Sequence, residues 1–173
     1  MNMTVATVLG VVASIVSGTL VILVVIRRSE RHATTTELIA TFFSASFVAH
    51  RRELDRLWDQ IDRGTVSPAR LAFGCANLTV DSPTDGPTSD GRRNVHLAAY
   101  ITYLIRLDHA LGRNHVDVER TRSALAVHLV RHDAMVQLVA AAALRRPARN
   151  AAAAPAWVES TERVRDRLIA RVR

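Results

Sequence analysis

From Thr4 to Ile26 the chain carries no charged side chain, and Arg27, Arg28 and Arg31 follow at once. A helix over such a stretch rises about 1.5 Å per residue and reaches roughly 35 Å, enough to cross a hydrocarbon core of about 30 Å with some tilt. The expected element is therefore a single N-terminal transmembrane anchor over residues 1–28. A cleavable secretory signal needs basic residues before its apolar core and a small-residue cleavage site after it. Here the arginines come after the core, and Leu20 to Ile26 are mostly bulky. Basic residues stay on the cytoplasmic side, so Arg27, Arg28 and Arg31 are expected to mark the membrane interface, with the N-terminus outside and residues 27–173 in the cytoplasm of a bacterial cell.

Ala6, Gly10, Ser14 and Gly18 recur every fourth residue within the anchor. Small side chains on one ridge let two backbones approach closely in lipid, where dispersion and weak hydrogen bonds replace the hydrophobic effect. This ridge is a candidate transmembrane dimer face, so a second copy of the chain joins the bilayer and a protein partner among the expected contacts.

Behind the anchor, residues 29–146 are long enough for one small domain, followed by a linker and an Arg-rich amphipathic helix over 147–173. The net charge of +7 includes 23 basic side chains, all of them arginine. The all-arginine usage reads as coding bias more than as a phosphate-binding surface, although Arg27, Arg28 and Arg31 each favour anionic headgroups by about 1 kcal/mol. The single cysteine, Cys75, excludes an internal disulfide and a Cys-cluster metal site.

The periodicity is helical throughout, and the expected class is all-α, a small bundle with no strand alternation. Thr34-Thr35-Thr36-Glu37 reads as a capping box that opens a long helix, with Ile39, Phe42, Phe43, Phe47, Leu54, Leu57, Trp58 and Ile61 on its apolar side. Gly64 suits its left-handed cap, and Ser67-Pro68 opens a short helix to about Asn77. Residues 81–91, DSPTDGPTSDG, read as an exposed mobile loop. Further helices are expected from about Arg93 to Leu111, stopped by Gly112, from Asp117 to about Arg145, and over 156–172. The last carries a stripe of Trp157, Thr161, Val164, Leu168 and Val172 that suits its own domain, a partner helix or a membrane surface.

Four polar residues fall on apolar arcs of these wheels: His50, Asp108, His128 and His132. If the helices pack together the four could converge, and the i, i+4 pair His128/His132 with Asp108 and His50 would make a zinc set. HLVRH lacks the glutamate of a metalloprotease helix, so the favoured expectation is a structural His50–Asp108 hydrogen bond, with no metal and no cofactor. No phosphate-cradling glycine loop or nucleophile elbow occurs, and no catalytic residue is assigned. The arginines at 145, 146, 149, 163, 165, 167, 171 and 173 outnumber Glu159, Glu162 and Asp166, the basis of an alternative reading as a binder of nucleic acid or anionic lipid.

The anchor followed by TTTELIATFF and RRELDRLWDQI, and then AAYITYLIRLDHALGRNHVD, resembles a family of small single-pass bacterial membrane proteins of uncharacterised activity. The stretches cover under half the chain, and the loop at 81–91 and the Arg-rich tail depart from the family's layout. The resemblance implies an all-helical cytosolic domain and carries over no catalytic residue. The expected function is that of a membrane-tethered helical interaction or regulatory protein, with a metal-dependent enzyme using His50, Asp108, His128 and His132 as the remotest alternative.

Overall fold

The computed structural model describes residues 2–82, 94–145 and 155–170, with side chains from residue 19 onward. The described residues are helical with no strand: α1 (Asn2–Phe43), α2 (Ala45–Asp62), α3 (Pro68–Gly74), α4 (Val95–Gly112), α5 (Val118–Leu144) and α6 (Ala156–Val164), the last continuing as a π-helical turn, Arg165–Ile169. The expected anchor is the N-terminal part of α1. Residues 4–18 of the expected span, with Ala6, Gly10, Ser14 and Gly18, lie outside the residues whose side chains are described. Among the described residues no helix is long and apolar enough to cross a membrane.

The helix expected to open at Thr34 does not start there. α1 runs through the capping-box sequence, and Thr35 and Thr36 donate instead to the carbonyls four residues back, at 2.6 Å to Arg31 and 2.8 Å to His32. The break falls at Ser44, whose extended backbone ends α1 and whose Oγ accepts from the Phe47 N–H at 3.3 Å, capping α2.

The other boundaries follow local chemistry. α2 ends in a Schellman turn, with Gly64 at φ 71 and Thr65 N–H donating to the Gln60 carbonyl. α4 starts on Asn94, which accepts from Leu97 N–H. Its stop is not Gly112, the last helical residue, but Asn114 at φ 58, with His115 N–H donating to the Ala110 carbonyl at 2.9 Å. Asp117 caps α5 by accepting from Arg120 N–H at 3.1 Å. Of the loop expected at 81–91, residues 83–91 lie outside the described residues.

α4 runs antiparallel to the α1–α2 pair. Tyr103 Oη donates to the Leu38 carbonyl and its ring packs on Phe42, Tyr100 stacks on Phe47, and His96 meets His50. α5 runs parallel to that pair, with Asp117 against Thr35, His128 beside Phe42 and Phe43, and Arg131 and His132 against Asp55. The core between them holds Phe42, Leu54, Leu97, Ile101, Leu107 and Leu125, each buried. α6 packs on α4 and its π turn on α5. Trp157, Thr161, Val164 and Leu168 are buried, so of the three settings this stripe suits it is the chain's own domain that covers it. Val172 lies outside the described residues.

Candidate functional site

His50, Asp108, His128 and His132 do not converge. Because α4 is antiparallel to α2, His96 stands opposite His50, with Nδ1 atoms 2.9 Å apart. Asp108 lies twelve residues further along α4, about 18 Å away at 1.5 Å per residue, and the expected His50–Asp108 bond does not form. The Asp108 carboxylate is held by Arg163 of α6, through Nε at 3.1 Å to both oxygens and through a terminal guanidinium nitrogen at 2.8 Å. His128 is exposed, edge-on to Phe43 with centroids 5.1 Å apart. Among the described residues no group of three or more His, Cys, Asp or Glu side chains could hold a metal ion.

His132 pairs with Asp55 of α2. Asp55 accepts two bonds from Arg131, at 3.0 and 2.9 Å, and its Oδ1 lies 3.2 Å from His132 Nε2. Together with Trp58, Asp59 and Met135 these residues line a groove of about 380 Å³ between α2 and α5. Burial lowers the His132 pKa, with Asp55 opposing, so the imidazole is favoured in its neutral form. Neutral His132 donates from Nε2 to Asp55, and its buried Nδ1 has no partner among the described residues. The pair orients an imidazole, yet the groove lining includes no serine, threonine or cysteine as nucleophile. The contact joins α2 to α5.

A second constellation lies at the foot of the bundle. Arg27, Glu30 and Arg31 of α1 and Arg113, Asn114 and His115 of the α4–α5 turn line a concavity of about 260 Å³. The two groups are far apart in sequence and meet because the Asn114 turn returns the chain beside α1. Arg27 and Arg31 were singled out in the sequence as expected membrane-interface residues. Arg113 and His115 were not, although the left-handed turn that positions them had a signal in the asparagine two residues past Gly112.

Above this basic foot stands the bundle, and on its other side α1 continues through Leu20–Ile26. Every residue from Leu20 to Ile26 is exposed, from 48% at Ile26 to 63% at Val21. A single surface leucine is ordinary, whereas seven consecutive exposed apolar side chains make an unusually long apolar run. On the C-terminal side, Arg163 is engaged by Asp108 and Glu159. Arg146, Arg149, Arg171 and Arg173 lie outside the described residues. The chain matches no protein-family model, no curated protein and no solved structure.

Proposed function

We propose that this chain is a membrane-tethered helical interaction module without catalytic chemistry. Its N-terminal helix sits in a bacterial cytoplasmic membrane, the N-terminus outside and the bundle in the cytoplasm, where it recruits or regulates a protein partner or a second copy of itself. The single observation that supports this reading is the exposed apolar run Leu20–Ile26 ending in the basic foot at Arg27, Arg28 and Arg31. A bilayer covers such a run on all sides at once, and the charges beside it fix direction. Self-association through Ala6, Gly10, Ser14 and Gly18 belongs to the same proposal.

The test is extraction of membranes from cells expressing the full chain with alkaline carbonate. The chain is expected to stay with the membranes, and the double variant Val21→Asp/Val24→Asp to shift to the soluble fraction, since two carboxylates within the apolar run oppose insertion. Full-length chain recovered as soluble monomer would overturn the reading.

A further inference from the structure

We infer that the concavity formed by Arg27, Glu30, Arg31, Arg113, Asn114 and His115 is a binding site for a glycerophosphodiester anion, supplied by the bilayer as an anionic lipid headgroup. The inference rests on the tethered reading, and it adds a built site with a ligand class to what would otherwise be diffuse charge attraction.

Position is the first argument. Arg27 follows Ile26 directly and Arg31 lies four residues further on, so they stand about 1.5 and 7.5 Å beyond the end of the apolar run. The headgroup layer on one side of a bilayer is roughly 5 to 8 Å deep, which puts both guanidinium groups at phosphate level. The α4–α5 turn is at the same level, because it lines the same concavity.

Chemistry is the second. Three guanidinium groups supply planar donor forks suited to phosphate oxygens, and the Asn114 amide and His115 imidazole offer further donors. Glu30 supplies an acceptor, which a bare phosphate would not use and which the hydroxyls of a glycerol headgroup would satisfy. The volume of about 260 Å³ suits a headgroup and not one water, whose share of liquid volume is about 30 Å³.

Construction is the third. Asn114 holds φ 58, and the bonds from Asn114 N–H to Leu111 O and from His115 N–H to Ala110 O lock the turn that carries Arg113 and His115. The backbone that carries Arg113 and His115 is thus fixed on a folded element, which leaves the ligand only side-chain rotamers to order.

The experiment places the full chain in nanodiscs of phosphatidylcholine mixed with phosphatidylglycerol and counts retained lipids by native mass spectrometry. Incorporation into the discs reads the anchor, and lipid enrichment reads the site, so the two proposals fail separately. Phosphatidylglycerol is expected to be enriched, and Arg113→Gln to reduce the enrichment about fivefold, the equivalent of about 1 kcal/mol per surface cation. Arg113→Gln with His115→Gln should abolish it. Arg63→Gln, an exposed charge at the end of α2, should leave it unchanged. Equal loss in Arg63→Gln and Arg113→Gln would reduce the effect to net charge and overturn the site. No enrichment in the unmodified chain overturns it outright. Binding of soluble glycerophosphoglycerol without lipid enrichment would assign the concavity to a soluble diester and overturn the lipid assignment.

Discussion

Thr35 Oγ1 accepts a 2.9 Å hydrogen bond from the backbone N–H of Asp117, the cap of α5, while donating at 2.6 Å to the Arg31 carbonyl. One buried hydroxyl thus joins the long N-terminal helix to the start of the helix that packs beside it. Thr35→Val keeps the shape and orphans the Asp117 N–H, a loss of about 1 to 3 kcal/mol. A lower thermal midpoint is expected, with Thr35→Ser close to the unmodified chain. Equal midpoints for the valine and serine variants would contradict the link.

Asp108 is buried and Arg163 half-exposed, so the two ends of their bidentate pair are unequal. Removing the arginine strands a buried carboxylate, whereas replacing the aspartate frees a guanidinium that water reaches. Arg163→Met should therefore destabilise the bundle more than Asp108→Asn, by on the order of 1 kcal/mol or more. Urea unfolding of both variants measures the difference, and the reverse order would count against the pairing.

Burial lowers the pKa of His132, and burial followed by the neighbouring His50 lowers that of His96, from ordinary values of 6.5. Below that pH the unfolded chain binds protons that the folded chain resists. The stabilisation is therefore complete above about 6.5 and is lost as pH falls toward the folded values. The thermal midpoint should drop between pH 7.5 and pH 5.5, and His132→Gln should flatten that drop. An unchanged slope would show that His132 does not titrate in this window.

Asn114 occupies the left-handed region that ends α4. Asn114→Gly is expected to be tolerated, and Asn114→Val to cost about 1 to 2 kcal/mol through its branched Cβ. Because the same turn carries Arg113 and His115, the valine variant should also lose lipid enrichment in nanodiscs where the glycine variant retains it.

Trp157 is wholly buried, and its Nε1 has no hydrogen-bond partner among the described residues. Trp157→Phe should thus cost far less than Trp157→Ala, which removes about 3 to 5 kcal/mol of packing. Chemical denaturation of the two variants checks whether α6 is held by shape or by a polar contact.

Helical periodicity, the Asp117 end and the Gly64 turn were legible because each depends on residues within one or two turns of itself. The break at Ser44 was not, since the apolar stripe continues across it from Ile39 to Ile61 and the threonines at 34–36 offered a stronger capping signal. Thr35 and Thr36 bond back along α1 instead, and Thr35 meets the Asp117 N–H, of a residue far away in sequence.

By itself the sequence determined an all-helical chain, the uncharged run that ends in Arg27, Arg28 and Arg31, and most helix ends, because periodicity and capping are local properties of the backbone. Only the tertiary structure decided which polar groups meet. His50 faces His96, Asp108 holds Arg163, His132 takes Asp55, and Arg113 joins Arg27 and Arg31, because antiparallel packing of α4 and parallel packing of α5 set the level at which each side chain stands. A helical wheel gives the angle of a residue about its axis, and contact also requires its height along the neighbouring helix.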